Sequence, residues 1–366
     1  MKKIIIIFLL FIFIALSSQE IQFGKIDSTK LSDGPYISWQ NDDIFVDYIY
    51  QGKAYQKTFS KQELEKQNLA IPELNFDQKI NFEHKTPKDN FQNIQKFFVV
   101  SDIHGQFNRF VAILKNNSII DNENNWIWEN GHLIILGDIF DRGTQVTESL
   151  WLIYKLENQA EKAGGKVHVS LGNHELMIFQ NDLRYIHEKY IFVTEKLNKS
   201  YSELFVENTV LGNWLRSKPV IIKIDNNLFC HAGISPKLAE EFTDFKAINT
   251  VVGEQFLNSN FKEDTELDKL IYHSNGPFWY RGYFYSSKRY DLIKESELDA
   301  VLAKFQSHKI IVGHSTQDSV LTLWNGKVIA VDSGIKYGDK GEGLLWQNNK
   351  FYRAFSNGEK KVLDFY

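Results

Sequence analysis

An apolar run that ends in two carboxylates and an arginine, LIILGDIFDRG at 133–143, constrains this chain more than any other stretch. Four large aliphatic residues in a row predict a short buried strand. Asp138 follows that strand after one glycine, and Asp141 and Arg142 come directly behind it. In isolation the stretch could be a polar turn with a single ion pair. Charged side chains released at the end of a buried strand instead favour a chemical site, provided that other segments bring polar groups to the same place.

The neighbouring segments predict a parallel crossover unit around this strand. Apolar runs at 97–100 and 167–171 predict two further strands. Helices are expected from about residue 106, and from about 144 to 163, where Gly164 and Gly165 end the pattern. Strand, helix, strand, helix, strand gives a parallel sheet, and in such sheets sites form where the strands end.

The residues before this unit predict an extension rather than a second catalytic domain. Period-two patterning within 19–60 predicts a β-hairpin around residues 51–53, and the polar stretch 61–95 is interpreted as a connector. We therefore predict an N-terminal extension over 19–94 and one catalytic domain over 95–366.

Two later regions complete the predicted domain. The aromatic stretch 181–217 is expected to be helical. Such an aromatic stripe more often packs into the core, but its position directly after a polar motif also suits a cap insertion over the site, which we predict here. A strand pair is expected within 220–230. The runs from residue 309 to the C-terminus are expected to form a second, antiparallel sheet.

The N-terminus predicts export. Residues 1–18 combine Lys2 and Lys3 with an apolar run at 4–16 and small residues at 17 and 18, the layout of a cleaved signal peptide. The run is short for a membrane span, although an uncleaved anchor is the alternative. Loss of the two lysines moves the formal charge from −4 to −6. We therefore expect a secreted or periplasmic protein that lacks the basic surface nucleic acid requires and is not stably inserted in a membrane.

Polar residues end five of the apolar runs. They are Asp102 and His104 (SDIHG), Asp138 (GDIFDRG), Asn173 and His174 (GNHE), His231 (CHAG) and His314 (GHS). Singly, such an Asp could cap a turn and such a His could lie hydrogen-bonded in the core. Together, carboxylates and imidazoles at converging strand ends fit two divalent cations roughly 3.5 to 4 Å apart. Two ions so close need an anion between them, and Asp138 is the candidate.

The motifs DxHG, GDxxDRG, GNHE, HAG and GH, in this order, resemble those of the calcineurin-like metallophosphoesterases, specifically the phosphoprotein-phosphatase branch. The signal sequence, GDIFDRG and the FWYRG motif at 278–282 look most similar to the Shewanella-like bacterial protein phosphatases. The resemblance covers about residues 95–335. It implies an α/β fold, the four-layer αββα sandwich with two mixed central sheets, here with an N-terminal β-hairpin and a helical cap insertion.

The resemblance also implies the metal ligands, position by position. Asp102 and His104 would hold the first ion, Asp138 would bridge, and Asn173, His231 and His314 would complete the second. Mixed oxygen and nitrogen ligation without a thiolate suits Mn, Fe or Zn.

A phosphomonoesterase mechanism follows from the same resemblance. A hydroxide bridging the two ions would attack phosphorus in line with the leaving group. His174 would act as the general acid, oriented by Asp141. Arg142 and Arg281 could bind phosphate oxygens with their planar forks.

Three functions remain to be weighed. The first is a phosphatase acting on phosphorylated proteins or small phosphomonoesters. The second is a nucleotide or dinucleotide polyphosphate hydrolase, disfavoured because the diadenosine tetraphosphatase relatives generally lack a carboxylate at the position of Asp141. The third is a non-catalytic protein that binds phosphate through metals, which would need no proton donor such as His174. A cysteine-dependent phosphatase is excluded, because six residues after the only cysteine, Cys230, stands Pro236 rather than an arginine.

One departure from the family pattern concerns the substrate. Eukaryotic serine/threonine members carry SAPNYC near the end of the core, and this chain has VDSGIKYG at 331–338. Asp332 and Tyr337 of that segment are expected to form part of the site wall. The choice among phosphoserine, phosphothreonine and phosphotyrosine stays open.

Overall fold

The computed structural model describes residues 27–258 and 261–364. Its strands, in chain order, are β1 (Asp33–Gln40), β2 (Asp43–Tyr50), β3 (Lys53–Ser60), β4 (Leu69–Ile71), β5 (Phe76–Gln78), β6 (Asn90–Phe91), β7 (Lys96–Val100), β8 (His132–Leu136), β9 (Lys166–Ser170), β10 (Ile221–Ile224), β11 (Asn227–Cys230), β12 (Lys309–Val312), β13 (Leu321–Leu323), β14 (Val328–Ala330), β15 (Glu342–Gln347), β16 (Lys350–Phe355) and β17 (Lys360–Val362). Its α-helices are α1 (Lys61–Lys66), α2 (Phe107–Asn116), α3 (Val146–Lys162), α4 (Asn173–Phe179), α5 (Glu188–Leu197), α6 (Val210–Arg216), α7 (Pro236–Glu241), α8 (Phe245–Val251), α9 (Glu266–Tyr272) and α10 (Glu295–Lys304).

Two six-stranded mixed sheets form the centre of the fold. The first has the order β17-β16-β15-β7-β8-β9, and the second has the order β13-β14-β12-β11-β10-β6. The predicted crossover unit lies in the first sheet, where β7, β8 and β9 are parallel and are connected through α2 and α3. The carboxyl ends of these three strands therefore meet at one edge.

Successive side chains of the central strands point to opposite faces of each sheet, and this produces the four layers. Phe97 and Val99 of β7 belong to an apolar cluster that also contains Phe229 of the second sheet. Phe98 and Val100 point the other way, into the larger cluster that includes the helices. Successive side chains of a strand face opposite sides, so each sheet packs on the other sheet with one face and on helices with the other. The predicted αββα fold class is confirmed.

The N-terminal extension is larger than the predicted hairpin. The hairpin itself is confirmed as β2 and β3, with Tyr50 opposite Lys53, but β1 adds a third antiparallel strand. Residues 61–95 are more than a connector, since they contain α1, the β4-β5 pair and β6, which joins the second sheet beside β10. Two- and three-residue strands leave too short a pattern for sequence periodicity to detect. The boundary between extension and catalytic domain stays a prediction.

The expected second, antiparallel sheet at the C-terminus is wrong. β12 runs parallel to both β11 and β14, and within the second sheet β13 is antiparallel to β14. β15 instead pairs with β7, so β15, β16 and β17 extend the first sheet. Apolar runs predict that strands exist, but strand partners depend on packing between segments far apart in sequence.

The predicted cap is helical only in part and serves mainly as core. Within 181–217 the structure has α5, a 3-10 turn at Ser202–Phe205 and α6. Tyr190, Tyr201, Phe205 and Trp214 are buried.

None of the helices in the described ranges is long and apolar enough to cross a membrane. The signal peptide predicted for residues 1–18 lies outside these ranges and stays a prediction.

A buried ion pair ties the N-terminal meander to the loop after β8. The ammonium of Lys189 lies 2.6 Å from Asp33 Oδ1 on β1, 3.3 Å from Glu148 Oε1, and donates to the Thr144 carbonyl at 2.6 Å. Removing one partner of a buried ion pair typically costs about 3–5 kcal/mol. The extension therefore supports the segment that carries Asp141.

A second buried pair, His132 and His168, predicts acid sensitivity of the fold. His168 Nε2 and His132 Nδ1 lie 2.9 Å apart beneath the Phe91 ring. Burial lowers the pKa of His132 to about 4, and burial with repulsion from His132 lowers the pKa of His168 well below its usual value. A depressed histidine pKa means that folding favours the neutral ring, so stability is complete above about pH 6.5 and declines as the pH falls towards 4.

We expect His168→Gln to flatten this decline. The variant removes one titrating ring, so the free energy of unfolding, measured by urea titration in chelator at pH 7.5, 6.5, 5.5 and 4.5, should fall less steeply than in the wild type. His308→Gln, a change at an exposed ring, is the control and should keep the wild-type slope. Equal slopes for His168→Gln and the wild type would contradict the assignment.

Candidate active site

The structure brings all six predicted ligands together at the strand ends. Asp102 and His104 follow β7, Asp138 follows β8, Asn173 begins α4 after β9, His231 follows β11 and His314 follows β12. All six are buried. Residues that follow strands of both sheets therefore converge at the same end of the sandwich.

Several residues of the site have a left-handed backbone conformation, which sets the direction of their side chains. The residues concerned are Asp102, His104, Asp138, Asp141, Arg142 and His314, with φ between 46° and 70°. This conformation is uncommon outside glycine, costs about 1–3 kcal/mol per residue, and clusters at functional sites. Close backbone approach accompanies it: a Cβ at Gly137 would lie 2.3 Å from the Gly172 nitrogen, and one at Gly143 would lie 2.3 Å from the His104 carbonyl oxygen.

Glu175 holds two of the turns together. Its carboxylate accepts from the backbone N–H groups of Gly172 at 2.7 Å, Asp138 at 2.9 Å and Ile139 at 2.8 Å. Burial, then repulsion from Asp138, raises the pKa of Glu175, while these N–H groups oppose the shift. Glu175 stands within GNHE, but its partners on the loop after β8 could not be predicted from local sequence.

The first group of donors surrounds His104. Its Nε2 lies 3.5 Å from Asp138 Oδ2 and 4.0 Å from Asp102 Oδ2. Its Nδ1 lies 2.7 Å from the Phe140 carbonyl oxygen, which can only accept, so Nδ1 carries the proton. Burial, then repulsion from His174, lowers the pKa of His104 well below its usual value. The ring is therefore neutral, with the Nε2 lone pair facing the carboxylates.

The second group surrounds His231. Its Nε2 lies 3.3 Å from Asp138 Oδ1, 3.0 Å from Asn173 Oδ1 and 3.2 Å from His314 Nδ1. Its Nδ1 donates to the Leu136 carbonyl oxygen at 2.6 Å. A hydrogen bond of this kind on the far nitrogen fixes the orientation of metal-binding histidines.

Two candidate metal-binding groups share Asp138, and the first contains His174 rather than the predicted Asp102. Two buried groups, His104–Asp138–His174 and Asp138–His231–His314, each place one ligand atom per residue within 4.8 Å of the others. His314 Nε2 is buried and has no hydrogen-bond partner among the described residues. Such orphaned buried nitrogens are rare unless they serve a function.

The electrostatics of the site call for added positive charge. Burial, then repulsion from Asp332 and Asp138, raises the pKa of Asp102 well above its usual value. Burial lowers the pKa of His231, but attraction to Asp138 outweighs it and raises that pKa to about 9. A bound divalent cation would replace the proton on His231 and offset the repulsion between the carboxylates.

His174 occupies a different position from the other histidines. Its Nδ1 is hydrogen-bonded to the Asp141 carboxylate, and its Nε2 lies 3.9 Å from Asp138 Oδ2. Burial raises the pKa of Asp141, with His174 opposing the shift. A carboxylate on Nδ1 fixes the orientation of the ring and its tautomer, which suits a proton donor, although the distance to Asp138 also permits a ligand role.

Both predicted arginines line the innermost cavity. This space of about 110 Å³ is bounded by Arg142 and Arg281 together with five of the six predicted ligands, all except His231. The Arg281 guanidinium donates to the His314 carbonyl oxygen at 3.0 Å. The Arg142 guanidinium lies 5.2 Å from the centre of the Tyr185 ring. Sequence analysis identified the two arginines, and the structure places them on one cavity.

Sequence analysis missed three residues that line the same cavity, Tyr185, Trp279 and Lys336. Lys336 takes the wall position expected for its neighbours Asp332 and Tyr337, neither of which lines this cavity. Its ammonium lies 3.7 Å from the Asp332 carboxylate. Trp279 stands inside the FWYRG motif, which was the one available signal, whereas Tyr185 and Lys336 reach the site only through folding.

Comparison with known proteins agrees with this geometry. The family described as calcineurin-like phosphoesterase matches residues 95–318, more than half of the chain. The chain belongs to the calcineurin-like phosphoesterases. The matched range contains every predicted ligand, so the resemblance inferred from the motifs is confirmed, and so is the prediction of a metal-dependent phosphatase.

Similar proteins include named phosphatases. This phosphoesterase is 37% identical to the cold-active protein-tyrosine phosphatase of a psychrophilic Shewanella species, whose crystal structure superimposes with a TM-score of 0.83 over 91% of this chain and 100% of that one. It is 26% identical to Shewanella-like protein phosphatase 1 of Plasmodium berghei, over 80% of each chain. It is 25% identical to the symmetrical bis(5'-nucleosyl)-tetraphosphatase of Buchnera aphidicola, over 70% of this chain and 96% of that protein.

Proposed function

We propose that this chain is a di-metal phosphomonoesterase that acts on phosphorylated proteins. The observation that carries the proposal is Asp138, whose two carboxylate oxygens face separate histidine groups beside the His174–Asp141 pair. Asp102 and His104 would hold one Mn, Fe or Zn ion, and Asn173, His231 and His314 would hold the other, with Asp138 shared. When bound, the two ions supply Lewis-acid charge that polarises the phosphate and makes water nucleophilic near neutral pH.

The residues of the chain itself would handle the proton and the phosphate. His174, held by Asp141 and facing the cavity, donates a proton to the oxygen that leaves phosphorus. Arg142 and Arg281 bind the non-reacting phosphate oxygens, since guanidinium forks match them geometrically. Lys336 adds a third cation at the wall. A cavity of about 110 Å³ suits a single phosphoryl group rather than a polyphosphate chain.

Protein substrates are favoured by two observations. An open groove adjoins the cavity, which leaves room for a polypeptide on one side of the phosphoryl group. The Shewanella relative is named a protein-tyrosine phosphatase and the Plasmodium relative a protein phosphatase. A dinucleotide polyphosphate hydrolase is the second candidate because of the Buchnera relative. The Asp141–His174 pair disfavours it, because the diadenosine tetraphosphatase relatives generally lack a carboxylate at the position of Asp141.

Metal removal tests the proposal directly. We expect that dialysis against chelator abolishes hydrolysis of para-nitrophenyl phosphate and that Mn restores it, because the carboxylates and imidazoles of the site cannot replace the missing positive charge. The measurement is the initial rate before chelation, after it and after repletion. Unchanged activity in protein proven metal-free would contradict the mechanism. Faster cleavage of a dinucleoside tetraphosphate than of every phosphopeptide at fixed Mn would select the second candidate.

A further inference from the structure

A large groove continues outward from the phosphate-sized cavity. It has a volume of about 760 Å³, within the range of ligand-binding clefts. Tyr185, Trp279 and Arg281 line both spaces, so they form the passage between them. A chain lying in the groove could therefore place one phosphorylated side chain in the cavity while its neighbouring residues contact the groove.

The groove is cationic on an acidic protein. Four cationic side chains, Arg184, Arg281, Lys288 and Arg289, line it with a single carboxylate, Asp182. Arg184 already neutralises that carboxylate, with Nε 2.8 Å from Oδ1 and Nη2 2.7 Å from Oδ2. The formal charge of the whole chain is −4. The positive charge of the groove is thus a local feature and not a consequence of composition.

Lys288 and Arg289 are free to meet a ligand. Both are exposed, and within 27–258 and 261–364 neither side chain forms an ion pair. Their loop is held in place beneath them, because the Ser287 N–H donates to the Tyr290 carbonyl at 2.8 Å and the Ile293 N–H donates to the Gly282 carbonyl at 2.9 Å. Two unpaired cations on an anchored loop are available for intermolecular contacts.

Aromatic side chains form the rest of the surface. Tyr185, Tyr272, Trp279, Tyr285 and Tyr290 line the groove. The centre of the Tyr185 ring lies 5.2 Å from the Arg142 guanidinium and 5.6 Å from that of Arg184. Tyrosine and tryptophan offer a large, partly polar contact area at a low cost in conformational entropy. Such a surface suits an extended peptide better than a compact small molecule.

We propose that this groove binds the residues that flank the phosphorylated side chain and selects acidic peptides. The inference rests on the proposed function, since it places the phosphoryl group in the metal cavity. Each exposed ion pair contributes little to binding and weakens with salt. The preference for acidic peptides is therefore moderate. It changes the association rate and the affinity of the peptide more than the rate of the chemical step.

Matched phosphopeptides test the inference. Three phosphotyrosyl peptides would carry three Glu, three Ala or three Lys beside the phosphotyrosine. We expect kcat/KM to fall in that order, and Lys288→Gln/Arg289→Gln to lower the value for the Glu peptide by about three- to tenfold. The charge reversal Lys288→Glu/Arg289→Glu should invert the preference towards the Lys peptide. Both effects should shrink in 0.5 M NaCl.

A distant lysine pair supplies the control. Lys360→Gln/Lys361→Gln changes the charge equally at two adjacent exposed residues of β17, and should leave the order of the peptides intact. Para-nitrophenyl phosphate reports on the metal site alone and should be cleaved equally by all variants. Equal kcat/KM for the three peptides, or equal losses in the groove and control variants, would overturn the groove inference while the phosphatase stands. Failure of the Mn-loaded wild type to cleave para-nitrophenyl phosphate would refute the proposed function itself.

Discussion

Asp138→Asn is expected to abolish hydrolysis and to leave at most one bound metal ion per chain. The substitution keeps the size of the side chain and an oxygen that can accept the His174 N–H, now at 3.1 Å from Oδ1. It removes the negative charge that stands between the His104 and His231 groups, at 3.5 Å and 3.3 Å. A neutral amide cannot offset the repulsion between two neighbouring dications. Metal content by elemental analysis and the rate on para-nitrophenyl phosphate measure the two effects.

A second buried carboxylate close to the site serves as the control for that variant. Asp332 is fully buried and hydrogen-bonded to Thr316, but it does not line the innermost cavity. Asp332→Asn should therefore keep two ions. Two bound ions per chain in Asp138→Asn would show that Asp138 is not the shared ligand. The same conclusion would follow if Asp138→Asn and Asp332→Asn both lost both ions.

His174→Asn is expected to lower kcat by roughly 10²- to 10⁴-fold, the usual contribution of a positioned proton donor, while two ions remain bound. The reason is the separate environment of its ring, with Nδ1 held by Asp141 and Nε2 directed towards the cavity. Substrates with poor leaving groups depend most on protonation. The loss should therefore be larger for phenyl phosphate than for para-nitrophenyl phosphate, a difference that a purely structural role would not produce.

Metal content decides between the two roles that the geometry allows for His174. Because the ring also belongs to a three-residue donor group with His104 and Asp138, it could be a ligand. In that case His174→Asn would lose an ion together with its activity, and the losses for the two substrates would be equal. His308→Asn, at an exposed ring outside the site, should change neither quantity.

The convergence of the six candidate ligands was predictable because each one follows an apolar strand and stands inside a short motif. Asp102, Asp138 and Asn173 follow the three parallel strands, so the crossover rule alone placed them at one edge. His231 and His314 follow strands of the second sheet, and only the family resemblance brought them to the same site. Lys336 and Tyr185 carry no such signal, since a lysine in a turn and a tyrosine in an aromatic stretch are ordinary surface and core residues. Their positions follow from packing between segments far apart in sequence, which local patterns do not encode.

In the fold, too, local sequence patterns predicted the elements, whereas contacts between segments far apart in sequence could not be predicted. The strands β7, β8 and β9 and the helices between them were predicted from periodicity alone. The C-terminal strands were found but wrongly assigned, because β15 pairs with β7, which lies more than two hundred residues earlier in the chain. Likewise, the aromatic residues of 181–217 fitted either core packing or a cap, and most of them are buried as core. Hydrophobic patterns identify the residues that are buried, but they do not identify the distant segments that pack against those residues.

The number of metal ions bound per chain in active wild-type protein tests the central claim most directly. The claim is that donors from both sheets bind two cations around one shared carboxylate. Elemental analysis of protein loaded with Mn and freed of excess metal should give two ions per chain, falling to one or none in Asp138→Asn. Full activity with a single ion, or with none, would contradict the account.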